Sequence, residues 1–362
     1  MTDAVLTNAK RRIAPLNRPG TIVYGAFKGM GDLLSASSVI AALLNRGHKV
    51  KLLLFPGMTL EEFIRLIDFG PHVASLEILY LPVSGGPGAF CTFFAQAVRF
   101  RADLVWISPH APREASSWKI PLVLWLTKLL CWPGAKLVGA ESEPLSVLFG
   151  ERIAVDRNLP IFQRENTAFA LLCSDPSDAS LPRVKFVERI RKHREDPPRY
   201  DLLIHPGANA SNRSWPYGHY EEVIRLIPHE CRVAVLGLPH DLEQMRRVLP
   251  ADRGIQFISG SLEEALAAIA CTRVVLAMDS GTAHFANFLN VPAVAIYGKS
   301  DPETIIGRTG TVLPIYEQKF PCQPCGRAVC SQDEVYCMNT IRPETVAAAV
   351  EKLLAQTCVS AK

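Results

Sequence analysis

Residues 275–298 read VLAMDSGTAHFANFLNVPAVAIYG. A continuously apolar run ends at Met278, the four residues Asp279, Ser280, Gly281 and Thr282 turn the chain, a helical segment follows, and PAVAIYG is apolar again. Strands apolar on both faces are what a parallel sheet covered on each side requires, so the stretch reads as strand, glycine turn, helix, strand. A helix opening at Ser280–Thr282 presents free N–H groups and a positive dipole end. Gly281 removes the side chain that would block close approach, which makes an anion site suited to a diphosphate. His284 lies about one turn in and faces the same site on this reading; an ordinary capped helix with a buried histidine is the alternative. Ser280 is not framed by G-x-S-x-G, so a nucleophile elbow is not supported.

The same grammar extends outward through the second half. LLIHPGANASNRSWP (202–216) is a strand ending at His205, followed by a turn at Pro206, Gly207 and Ala208. Gly207 can bring backbone N–H groups close to a phosphate. Arg213, just before Trp215-Pro216, offers a planar cation for phosphate oxygens, or is simply a surface arginine. VLGLPHDLE (235–243) is a strand reaching Gly237 with Asp241 beyond a proline turn. Asp241 either caps the next helix or accepts hydrogen bonds from ribose hydroxyls.

The first half repeats the pattern. GAFKGMGDLLSASS (25–38) turns at Gly29 and Gly31 after an apolar strand, and Asp32 opens a helix. This is not the dinucleotide fingerprint, because the third glycine and the following acid are missing. Asp32 is a helix cap, or a carboxylate held as general base, ionised at neutral pH. The expected organisation is a Rossmann-like domain over 20–165, a charged and proline-bearing connection over 166–199, a second such domain over 200–342, and a C-terminal helix over 343–358. FVERIRKHR, in the connection, reads as a polar-faced helix.

Composition is that of a globular protein, 48% hydrophobic and 20% charged over 362 residues, with a formal net charge of +4. That charge is too small to argue for nucleic acid. The first twenty residues lack an apolar signal core and read as a poorly ordered leader, which makes the cytoplasm the expected compartment. IPLVLWLTKLLCW (120–132), interrupted by Lys128, is short for a bilayer span, about 20 residues; it is a core helix or a membrane-surface helix. Six of ten cysteines are scattered. The other four, Cys322, Cys325, Cys330 and Cys337, fall in FPCQPCGRAVCSQDEVYCMN (320–339) with spacing C-x2-C-x4-C-x6-C. This suits a closed structural zinc or iron site in a loop spanning 320–338; unmetallated thiols and disulfides are the alternatives. No D-x-D motif occurs, so no carboxylate-held metal is suggested for the diphosphate.

Taken together, GMGDLL, HPGANASNRSWP, DSGTAHFANFLNVPAVAIYGKSDP and the cysteine stretch running into IRPETVAAAVEKLL resemble glycosyltransferase family 9, the ADP-heptose:lipopolysaccharide heptosyltransferases and their relatives. The resemblance covers most of the chain. It implies an α/β fold of GT-B architecture, two Rossmann-like domains facing across a cleft, the first for the acceptor and the second for the nucleotide sugar. It implies an inverting displacement with no cofactor required for catalysis. Asp32 matches the family's catalytic Asp, Arg213 its basic residue before Trp-Pro, where lysine is common, and Asp241 its ribose-binding acid, a glutamate in some members. Asp279, Ser280, Gly281 and His284 match the family's Asp-(Ser/Thr)-Gly-x-x-His. A cysteine-bound metal finger is known in related members. ADP-heptose is the implied donor. An oligosaccharide or lipid-linked acceptor of the lipopolysaccharide inner core is the implied partner, with peripheral contact at the inner membrane. Arg65, Arg113 and Lys119 are the basic candidates for a charged acceptor. Another nucleotide sugar, a protein or small-molecule acceptor, or a silent nucleotide-sugar binding module are the competing readings.

Overall fold

The computed structural model describes residues 16, 18–27, 29–55, 60–82, 87–109, 118–142, 145–173, 181–193, 198–208, 210–325, 327 and 329–359. Most of the leader, parts of the connection and Arg113 lie outside the described residues. The chain divides into two compact units, Met1–Val184 and Lys185–Lys362.

The first unit is built on β1 (Thr21–Phe27), β2 (Lys49–Leu54), β3 (Leu76–Tyr80), β4 (Leu104–Ile107), β5 (Lys136–Ala140) and β6 (Glu151–Ile153). They form one sheet in the order β3-β2-β1-β4-β5-β6, and every neighbouring pair is parallel. This is the doubly wound order, in which connections run in opposite directions from the first strand. β1 is buried at every position after Thr21, as the apolar run requires. Helix α1 (Met30–Asn45) follows it and packs against α3 (Ile161–Cys173). Helix α3 carries a buried carboxylate, Glu165, which accepts hydrogen bonds from the hydroxyls of Tyr24 on β1 and of Ser108 just past β4. A carboxylate removed from water needs such donors. In consequence burial, and then Glu165, push the Tyr24 phenol well above its ordinary range.

Helix α2 (Lys119–Cys131) has a buried face, as a core helix requires, and an exposed apolar one. One face buries Ile120, Pro121, Val123, Leu124 and Thr127. The other leaves Leu126, Leu129 and Leu130 at 39%, 47% and 73% exposure. No helix among the described residues is long and apolar enough to cross a membrane.

The second unit repeats the plan with β7 (Tyr200–His205), β8 (Val233–Leu236), β9 (Gln256–Ile258), β10 (Thr272–Met278), β11 (Ala293–Tyr297) and β12 (Val312–Tyr316). The order is β9-β8-β7-β10-β11-β12, again all parallel. The helices α4 (Tyr217–Leu226), α5 (Pro239–Val248), α6 (Leu262–Ala270), α7 (Gly281–Phe288) and α8 (Pro343–Val359) cover it. Ser261 caps α6 in a reciprocal box with Glu264, which satisfies two otherwise orphaned N–H groups. Helix α8 packs on α4, β10 and β11, and Val346, Val350 and Leu354 enter the same core as Trp215 and Tyr220. Arg273 ties the layers together, donating to Asp201 at 2.9 Å and to the carbonyl of Leu354 at 2.8 Å.

One helix is shorter than the sequence implies. FVERIRKHR gives only Glu188–Arg191, in which Ile190 alone is buried. A single apolar anchor among charged neighbours does not stabilise further turns.

Candidate functional site

Strand register fixes where the singled-out residues of the second unit meet. Ile204 pairs with Val235, His205 with Ala277, and Met278 with Ile296. The carboxyl ends of β8, β7, β10 and β11 are therefore level, and the loops bearing Gly237–Asp241, Pro206–Arg213, Asp279–His284 and Gly298–Lys299 leave one edge. The strand order reverses between β7 and β10, the point where open α/β sheets place ligands.

Asp241 is not the cap of α5. Leu238 occupies that position, and Asp241 is the third helical residue. Its carboxylate is buried, accepts the Tyr217 hydroxyl at 3.0 Å, and has His240 Nε2 at 3.2 Å. Two glycines lie close against it. A Cβ on Gly207 would stand 3.0 Å from Asp241 Oδ2, and one on Gly237 would stand 3.2 Å from Asp241 Cβ. Burial, then the neighbouring carboxylate, push the Tyr217 phenol up to about 12. Burial lowers the His205 imidazole to about 4 against the opposing pull of Asp241, and its Nδ1 is buried with no partner.

Ser280 caps α7 by backbone only; its Oγ is buried and unpartnered. Gly281 and Thr282 form the first two helical residues, and His284 is the fourth, partly buried. Arg213 ends a short 3-10 turn, Ser211–Arg213. It is no free surface arginine: Nη1 donates to the carbonyl of Asp279 at 3.0 Å, while Nε is buried without a partner. The guanidinium thus bridges the loop after β7 to the loop after β10. Arg213, the Ser280 hydroxyl and the α7 N-terminus are thus carried on neighbouring loops at one edge of the sheet, and are groups of the kind that bind anions. Pro206 is buried at the start of the loop after β7, and Ala208 packs on the core.

Lys299 was not among the sequence candidates. It lies two residues past β11, and its Nζ donates to the carbonyl of Arg327 at 2.7 Å. Burial, then the charge of Arg213, hold its ammonium below the usual lysine range, with Asp279 opposing. The sequence signal of Lys299 is a polar residue after Gly298 at a strand end, as at the ends of β7, β8 and β10.

In the first unit Asp32 is the third residue of α1, behind Gly29 as cap. Its carboxylate accepts the Gly29 N–H at 3.1 Å. The preceding backbone is unusual, with φ of 125° at Gly25 and 83° at Ala26, and the register of β1 on β2 shifts there. A non-glycine residue at such φ is strained, a cost of about 1–3 kcal/mol that tends to sit at functional sites. Arg65 and Lys119 are exposed.

The family model for glycosyltransferase family 9 (heptosyltransferase) matches residues 128–336. The chain belongs to this family. Lipopolysaccharide heptosyltransferase 2 of Salmonella typhimurium is 26% identical over 235 residues, 56% of this chain and 62% of that one. The chain thus spans less than two thirds of the length of this curated relative. Among solved structures, E. coli heptosyltransferase WaaC with ADP-2-deoxy-2-fluoro heptose superposes with a TM-score of 0.63 at 16% identity, covering 93% of this chain and 99% of that one. The iron-containing dodecameric glycosyltransferase TibC of enterotoxigenic E. coli gives 0.53 at 13% identity, covering 94% and 77%. The fold is that of the GT-B heptosyltransferases, α/β with two Rossmann-like domains.

The cysteine segment of this family 9 chain departs from the metal expectation. Zinc held by thiolates needs sulfurs at tetrahedral corners about 2.3 Å from the ion. Among the described residues no group of three or more His, Cys, Asp or Glu is placed to hold a metal ion. Cys322, Cys325, Cys330 and Cys337 are free thiols, and Cys322 is exposed. They are still neighbours: burial, then Cys325, Cys330 and Cys322, push the Cys337 thiol up. Gln323 is one of the ties that hold the segment. Its side chain is buried, donates to the carbonyl of Gly298 at 2.7 Å and accepts the N–H groups of Lys319 and Phe320, each at 3.1 Å.

Proposed function

We propose that this chain is an inverting glycosyltransferase that moves heptose from ADP-heptose to a hydroxyl of a lipopolysaccharide-core acceptor. The observation that carries the reading is the anion site around α7, where Arg213 is fixed on the Asp279 carbonyl and the Ser280 hydroxyl is buried without a partner. Such donors, already oriented, stabilise charge that develops on a leaving diphosphate without reorganisation in the transition state.

In this reading Asp32 takes the proton of the acceptor hydroxyl as its oxygen attacks the anomeric carbon. The bond from that carbon to the diphosphate oxygen breaks on the opposite face, and the configuration inverts. The helix N-terminus at Ser280–Thr282 and Arg213 receive the departing charge. Gly207, Gly237 and Asp241 accommodate the ribose, the carboxylate accepting from its hydroxyls. Asp279 and His284 complete the diphosphate loop. No step passes through the four cysteines. The first unit holds the acceptor, and the exposed leucines of α2 beside Lys128 support peripheral contact with the membrane that carries a lipid-linked acceptor.

The test is release of nucleoside diphosphate from a panel of nucleotide sugars with a truncated inner-core acceptor, wild type beside Asp32→Asn. ADP released from ADP-heptose alone, dependent on acceptor and abolished in the variant, is the expected result. Turnover of a different nucleotide sugar would replace the donor, and binding without turnover of any acceptor would reduce the protein to a binding module.

A further inference from the structure

The anion site has a second cation that the family pattern described above does not include. Lys299 emerges from β11 beside the loop that opens α7, close enough to Arg213 and Asp279 for both charges to act on its ammonium. Its Nζ rests on the carbonyl of Arg327 at 2.7 Å. That same carbonyl accepts Asn212 Nδ2 at 2.9 Å, and Asn212 is buried next to Arg213 in sequence.

We infer that Lys299 is a second leaving-group cation, turning from the Arg327 carbonyl to the diphosphate of the bound donor so that it and Arg213 share the departing charge. The inference rests on the nucleotide-sugar reading and extends it to a residue. Three observations carry it. The first is charge: with Asp279 counted against Arg213, the α7 N-terminus leaves only about half a positive charge, and Lys299 raises this by one full charge toward the two or more negative charges of a departing nucleoside diphosphate. The second is the resting contact: a carbonyl oxygen has two lone pairs and a lysine three donors. When Nζ moves away, Asn212 still satisfies the Arg327 carbonyl, so release leaves no orphaned acceptor. The third is anchoring: the backbone below the ammonium is held by the Cys325 N–H on the Lys299 carbonyl at 3.0 Å and by Gln323 on the Gly298 carbonyl at 2.7 Å. The side chain swings from a fixed base.

The experiment compares binding of ADP and of adenosine to the full chain by calorimetry, in wild type, Lys299→Met, Lys299→Gln and Lys299→Arg. Loss of one charge-assisted hydrogen bond corresponds to an affinity drop of about 10- to 100-fold. That drop is expected for ADP with Lys299→Met and Lys299→Gln, adenosine affinity unchanged, and most of it restored in Lys299→Arg. Gln can still donate to the Arg327 carbonyl, so it separates clamp from cation and stands in if the Met variant does not fold. Unchanged ADP affinity in the neutral variants, or an equal loss for ADP and adenosine, overturns the inference. Wild type that binds no nucleoside diphosphate overturns the nucleotide-sugar reading instead. If wild type prefers another base, the same comparison is run with that nucleoside and its diphosphate.

Discussion

Acidification should weaken the second unit through one imidazole. His205 ends β7 with Nδ1 buried and unpartnered, and burial holds its folded value near 4. An unfolded histidine titrates near 6.5. Between those values the unfolded chain binds a proton that the folded chain refuses, so stability rises with pH and is lost as pH falls through that window. For these two values the change from pH 7 to pH 5 works out at about 2 kcal/mol, and as an upper figure, because the ring is only partly withdrawn from solvent. Carboxylates titrate over the same range, so the measurement must be a difference. Urea unfolding of wild type and His205→Asn at pH 7 and pH 5 provides it. Wild type should lose about 2 kcal/mol more than the variant on acidification. Parallel losses in the two proteins would mean that His205 accepts its proton without penalty, and the argument from its burial would fail.

Gly298→Ala places a Cβ 2.3 Å from Met338 Sδ and 3.0 Å from Cys337 Sγ; with Met338 fully buried, overpacking should cost about 1–3 kcal/mol, and an unshifted melting curve would show that the cysteine segment yields freely. Arg273→Met removes the guanidinium shared by Asp201 and Leu354, and the unfolding free energy from urea titration at neutral pH should fall by about 1–3 kcal/mol. Burial alone would raise the Asp201 carboxyl, but hydrogen bonds from Arg232 and Arg273 bring it to about 2. That contribution is complete above about pH 4 and fades as pH drops toward 2, so the wild-type advantage over Arg273→Met should shrink over the same interval. Leu129→Ser with Leu130→Ser should reduce flotation with anionic vesicles while leaving turnover of a water-soluble acceptor unchanged; equal flotation would detach α2 from the membrane reading.

Both sheets were legible because buried parallel strands leave long apolar runs, and the turns between them are marked by glycine. The edge positions followed from the same logic, since Asp279–Thr282 interrupt a continuously apolar run. What the sequence could not show was direction. Asp32 and Asp241 both look like helix caps one-dimensionally, yet each is a third helical residue, and only the packing of Gly207 and Gly237 reveals that Asp241 turns inward. Lys299 escaped notice because its partner, the Arg327 carbonyl, is distant in sequence and carries no side-chain signature. The cysteine spacing suggested a metal because spacing reports ligand count but not the placement of the sulfurs, and among the described residues no metal-holding group is formed; the buried amide of Gln323, unremarkable in sequence, is one of the contacts that hold the segment.

The position of α8 has a consequence for biosynthesis. Val346, Val350 and Leu354 complete the core that Trp215 and Tyr220 begin, and the Leu354 carbonyl is needed by Arg273. The first unit's sheet is composed entirely of residues up to Ile153, so it can close while translation continues. The second sheet stays open on one layer until α8 has left the ribosome, with β10 and β11 presenting bare apolar surface meanwhile. Nascent chains stalled before residue 346 should therefore depend on chaperones for solubility, while those carrying α8 should not.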